Sequence, residues 1–251
     1  MRSFMQRRLA PAVGLATLLG VTACAGDDGK VQLPTERVIG GGTAQLTDVR
    51  PVPGFLPQPG LLQPGGKDRA ALFYMKPGAN FAAYRSVYLA PVEIWAGADS
   101  KLKDVPAAQR RALANMFYSN LHNALKPGCT LVSKPTANTL RIRIALADAS
   151  SADATKNTVA NYAPYASTAY TLGSLAFNKG VGFFAGTATV EGFASDARTG
   201  EVLWQAVDKR VGTGALVKNT LDEWLDVRHA FEAWSTQVAQ RLRDIGVCNR
   251  G

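Results

Sequence analysis

From Leu140 to Leu146 the chain reads Leu, Arg, Ile, Arg, Ile, Ala, Leu, and no other segment restricts its fold so tightly. Successive side chains on a strand point to opposite faces, so Leu140, Ile142, Ile144 and Leu146 require a core on one side. Arg141 and Arg143 then face the other. A strand patterned in this way needs a cover for its apolar face, and two helical segments supply one. Asp104 and Pro106 signal a start, with proline in the first turn where its missing N–H costs nothing. Leu113, Phe117, Leu121 and Leu125 then recur every four residues, up to a stop at Lys126-Pro127-Gly128. A second helix opens on Thr220-Leu221-Asp222-Glu223, which has the form of a capping box. Its apolar stripe runs through Leu221, Trp224, Val227, Phe231, Trp234, Val238, Leu242 and Ile245.

Further strands are expected over Val87–Val92, after the Lys76-Pro77-Gly78 turn, and at Leu131. Ala188–Ser195 and Val202–Arg210 flank Asp196-Ala197-Arg198-Thr199-Gly200, a hairpin whose glycine needs positive φ. The pattern predicts an α+β fold: a single, mainly antiparallel sheet with two long helices on one face. Cys129 lies just beyond the first helix and Cys248 just beyond the second. If the helices run side by side in the same direction, the two thiols meet, and an oxidising compartment would join them.

The N-terminus indicates that compartment. Arg2, Arg7 and Arg8 precede a dozen apolar residues, Leu9 to Gly20, too few for the roughly 20 a membrane-spanning helix needs. Val21-Thr22-Ala23-Cys24 follows and resembles the lipobox of bacterial lipoproteins. That resemblance implies cleavage after Ala23 and a diacylglyceryl group on the Cys24 thiol, with acylation of the new amine. Two or three chains, at about 0.8 kcal/mol per buried methylene, anchor stably. Ala25, where aspartate would favour inner-membrane retention, implies the outer membrane, facing the periplasm. Residues 24–69, with Pro51, Pro53, Pro57, Pro59 and Pro64, read as a tether on which only Gly54-Phe55-Leu56 and Leu61-Leu62 dock. Residues 70–251 are then one domain. Removing three of the 28 Lys+Arg with the signal leaves 25 against 19 Asp+Glu, a net +6.

Several short motifs carry a family resemblance. Gly54-Phe55-Leu56, Tyr74-Met75-Lys76-Pro77-Gly78, Tyr84, the Val87–Val92 strand with Trp95, and the Asp196–Glu201 turn are together similar to a family of proteobacterial lipoproteins catalogued only as a domain of unknown function. The similarity runs from Gly54 to Val247. Where the family has an aromatic and an acidic residue after Gly-Phe-Leu, this chain has Pro57-Gln58-Pro59. The resemblance implies an envelope location and a single domain, and it supplies no reaction.

The residues offer little catalytic chemistry. His122 and His229 lack a second ligand at a metal-binding spacing, so no metal or cofactor is expected. No Gly-x-Ser-x-Gly elbow is present. Asp222, Glu223 and Asp226 complement a helix dipole better than they form a catalytic pair. Gly60–Lys67 resembles a phosphate loop only loosely, because Asp68 stands where Ser or Thr is required. Two candidate contact surfaces remain. Arg141, Arg143, Lys209 and Arg210 would make a basic face if the sheet is uncovered there. The insert Ser150–Gly186 carries Tyr162, Tyr165, Tyr170 and Phe177 among small residues. The expected role is a tethered, non-enzymatic interaction or assembly module whose partner is an envelope protein or an anionic polymer rather than nucleic acid. The alternative is a periplasmic enzyme acting on envelope glycan or lipid, with a site assembled only by folding.

Overall fold

The computed structural model describes residues 43–66, 68–152, 186–212 and 222–248. Its strands are β1 (Thr43–Leu46), β2 (Gln63–Pro64), β3 (Leu72–Met75), β4 (Ser86–Leu89), β5 (Glu93–Ile94), β6 (Thr139–Ser150), β7 (Thr187–Asp196) and β8 (Val202–Gly212). The long helices are α1 (Ala107–Leu125) and α2 (Leu225–Asp244). All eight strands join one sheet in the order β2-β3-β8-β7-β6-β4. β1 extends the free edge of β8 beyond β3, and β5 does the same on β6 beyond β4. Among the described strands, only β4 and β5 pair in parallel, each with β6. The α+β fold with a mainly antiparallel sheet is therefore as the alternation predicts.

Leu140, Ile142, Ile144 and Leu146 are buried in one cluster with Leu113, Phe117, Leu121 and Leu125 of α1 and Val227, Phe231 and Trp234 of α2. Both helices thus use the stripes their spacing defines. Phe117 and Phe231 stack at 4.5 Å between centroids, which locks the two helices together over the sheet. At the far end Cys129 and Cys248 form a disulfide, with 4.5 Å between Cα atoms. The thiols meet because α1 and α2 both end there.

The β7–β8 hairpin turns as its residues predict. Asp196 Oδ1 accepts from the N–H groups of Arg198 and Thr199, and Gly200 takes φ +76°. Those N–H groups, Thr199's first, hold the Asp196 carboxyl below its ordinary value. Tyr84 donates to Asp196 Oδ2 at 3.0 Å, and burial together with that carboxylate pushes the phenol up to about 12.

Four expectations need correction. The expected Val87–Val92 strand ends at Leu89, short of Pro91, which has no N–H to give, and β5 is a separate two-residue strand beyond Val92. Leu131 makes only a single parallel bridge to Val87. The α2 helix begins at Leu225, and Glu223 accepts from the Trp224 indole and Gln109 instead of capping the backbone. Thr220, its expected capping partner, lies outside the described residues. The fourth concerns the tether of residues 24–69. From Thr43 onward this segment belongs to the fold: β1 is a sheet strand, and Phe55 and Leu56 are buried against Ala145, Phe193 and Val207. Its prolines leave only the two-residue β2 in the ladder here, but they do not preclude docking through side-chain acceptors.

Candidate functional site: a pocket between α2 and the sheet

The sheet has two covered faces of different character. On the face away from the helices, the strap of residues 49–62 is held by two buried polar side chains. Glu191 accepts from the Val52 N–H through Oε1, while its buried Oε2 has no partner among the described residues. Burial raises its carboxyl from the ordinary 4.5 to about 7, against the lowering influence of the Val52 N–H. Gln205, also fully buried, accepts from the Gln58 N–H and donates to the Gln58 carbonyl. Phe55 packs 5.6 Å from the Phe193 ring and 6.0 Å from Trp95.

This strap changes the expected basic surface. Arg141 remains exposed on the strap side of β6. Arg143 makes two hydrogen bonds to Glu93, at 3.0 and 2.7 Å, and lies over the Phe55 and Phe193 rings. Its charge is neutralised and its guanidinium is part of the packing. Lys209 and Arg210 are adjacent on β8, so they point to opposite faces, and Arg210 lies on the helix side, 5.8 Å over Trp234. The four residues do not form one uncovered basic face. Tyr162, Tyr165, Tyr170, Phe177 and Cys24 lie outside the described residues.

On the helix side, the sheet and α2 leave a cavity of about 230 Å³. Its floor is made by small residues at consecutive inward positions, Gly192 and Ala194 on β7 and Ala206 on β8, beside Ile142, Ile144 and Trp204. Trp234, Val238 and Leu242 of α2 roof it, and Phe117 of α1 closes the inner end. Exposed Arg69, Met75, Arg241 and Asp244 ring the opening.

Two buried carboxylates border this site: Glu191, whose side chain turns to the strap and accepts from Val52, and Asp208, which faces α2. Asp208 Oδ1 accepts from the Ala71 N–H at 2.9 Å and from Gln45 at 2.5 Å. Its Oδ2 accepts from the Trp234 indole at 2.6 Å and from Arg210 Nε at 3.3 Å. Four donors occupy it, which suits a structural tie between β1, β3, β8 and α2. Asp226 plays a similar part at the start of α2, where it accepts from the Gly186 N–H at 2.8 Å. Its carboxylate fills the space that any side chain at Gly212 would need, which explains that glycine at the end of β8.

Among the described residues no three metal-ligating side chains gather, and no helix is long and apolar enough to cross a membrane. His122 lies beside Tyr118 on α1, ring centroids 6.1 Å apart. His229 Nδ1 is buried without a partner among the described residues. Sequence reasoning missed the pocket. The available signal was the set of small inward-facing residues on neighbouring strands, opposite a helix stripe rich in tryptophan and phenylalanine.

The arrangement is that of a one-sheet α+β domain with an apolar pocket. The model of the family described as a protein of unknown function, DUF3313, matches residues 54–238, and the chain belongs to that family. No curated protein matches it. Among solved structures it is similar to the PelC dodecamer from Paraburkholderia phytofirmans, at 12% identity and a TM-score of 0.36 over 66% of this chain and 96% of that one. It is also similar to a DUF4136 family protein from Bacteroides thetaiotaomicron, at 13% identity and 0.33 over 68% and 95%. At such scores no functional inference is taken from either.

Proposed function

We propose that the protein is a lipid-anchored envelope module that binds rather than catalyses, held at the outer membrane through Cys24, with the pocket beneath α2 as its contact site. The observation that carries this reading is the pocket's chemistry. Its walls are mainly aliphatic and aromatic, Asp208 is occupied by four donors, and the Glu191 side chain is turned to the strap, so the site offers chiefly apolar surface. The Cys129–Cys248 disulfide suits the oxidising periplasm that the signal segment implies. On this reading, the anchored segment passes into the domain no later than Thr43, the first residue of β1.

The test is crosslinking in intact cells from a photoreactive residue at Met75, on the pocket rim. The expected result is a discrete adduct in the envelope fraction that disappears when Ala206→Leu fills the pocket. Palmitate labelling that is lost in Cys24→Ser would accompany it. A domain that retains full envelope attachment without Cys24, and gives no Met75 adduct, would contradict the reading.

A further inference from the structure

Resting on that reading of the pocket, we infer its ligand class: an anionic amphiphile with a single acyl chain, its tail lying on the Gly192–Ala194–Ala206 floor and its head meeting Arg69. The space comes first. A cavity of about 230 Å³ exceeds the ~150 Å³ apolar cavity that is large enough to admit benzene. That space, lined by small floor residues beneath α2, takes a segment of acyl chain. A longer chain leaves past Met75, an exposed and adaptable apolar side chain at the lip.

The charge at the rim sets the head group. Arg241 donates to the Asp68 carbonyl at 2.5 Å and lies 3.7 Å from the Asp244 carboxylate, so its charge is already engaged. Arg210 is paired with Asp208. Arg69 is exposed and pairs with no carboxylate among the described residues, and its guanidinium is held 5.1 Å over the Phe73 ring at the pocket edge. A cation fixed at the mouth of an apolar pocket complements a carboxylate or a phosphate on the end of a chain.

The experiment uses the full chain carrying Cys24→Ser, so that its own acyl groups do not compete, with isothermal titration of laurate, dodecyl phosphate and dodecanol below their micellar concentrations. One laurate or one dodecyl phosphate should bind per chain, more tightly than dodecanol. Binding of laurate alone assigns a carboxylate head, and of dodecyl phosphate alone a phosphate head; either supports the inference. Arg69→Gln, at an exposed position, should weaken the anionic probes about fivefold and leave dodecanol unchanged. Ala206→Leu should abolish binding of all three, and Val238→Phe does the same service should the first variant fail to fold. Equal affinity for dodecanol and laurate, unaffected by Arg69→Gln, overturns the anionic class while leaving the pocket reading intact. Binding that survives both filling variants overturns the placement. Absence of binding by any probe overturns the inference, and the Met75 adduct then decides separately whether the pocket reading falls with it.

Discussion

The indole N–H of Trp234 on α2 donates to Oδ2 of Asp208 on β8 at 2.6 Å, and this bond pins the helix over the pocket it roofs. The same carboxylate receives the Ala71 N–H and Gln45, so one side chain ties the edge strands, the sheet centre and the helix.

Asp208→Ala should therefore cost about 3 kcal/mol, because a buried backbone N–H, an indole N–H and the Arg210 charge all lose their acceptor. Asp208→Asn keeps one acceptor and should cost about half as much. Urea unfolding of the two variants checks the order.

Glu191 makes stability depend on pH. Its folded-state carboxyl is raised from 4.5 to about 7, so the folded chain holds the proton more tightly than the unfolded one. The stabilising contribution is complete below about pH 4.5 and is lost as pH rises through about 7. Across that window it is worth about 3 kcal/mol, at 1.36 kcal/mol per unit. Glu191→Gln should show a flatter stability profile from pH 5 to 8, measured by denaturant midpoints, and should exceed the parent at pH 8.

The strap is predicted to detach locally before the domain unfolds. Phe55→Ala removes a ring packed between Phe193 and Trp95 and should cost about 3 kcal/mol. Limited proteolysis should then cut within residues 49–62 while the β6–β7–β8 core resists.

Reduction of Cys129–Cys248, whose partners are 119 residues apart, should lower stability by about 5 kcal/mol on the chain-entropy model. Cys129→Ala and Cys248→Ala should each reproduce the reduced state, and thermal melts with and without reductant would show whether they do.

The parts of this fold that were legible in the sequence are those governed by local periodicity. β6, the β7–β8 hairpin and both helices follow from spacing alone, and the disulfide follows from where the helices end. The strap and β1 depend on partners 139 to 167 positions away, such as Glu191 for Val52 and Arg210 for Thr43. No local pattern encodes those contacts. Glu191 and Gln205 occupy positions that period-2 alternation assigns to an open polar face. Their neighbours Ala145, Phe193 and Val207 are apolar on that same face, and this was the sign that something covers it. The basic surface was misassigned for a related reason. Adjacent Lys209 and Arg210 already point to opposite faces by alternation, and no local pattern shows that Glu93 and Asp208 pair with Arg143 and Arg210.

The most direct measurement on the pocket follows the indole N–H resonances of Trp204, Trp234 and Trp95 while dodecyl phosphate is titrated into the full chain carrying Cys24→Ser. Trp204 and Trp234 line the pocket, and Trp95 lies on the strap side with its indole on the Pro53 carbonyl. Saturable shifts of the first two with Trp95 unmoved are predicted. Shifts at Trp95 of equal size, or none at Trp204 and Trp234, would contradict a binding site beneath α2.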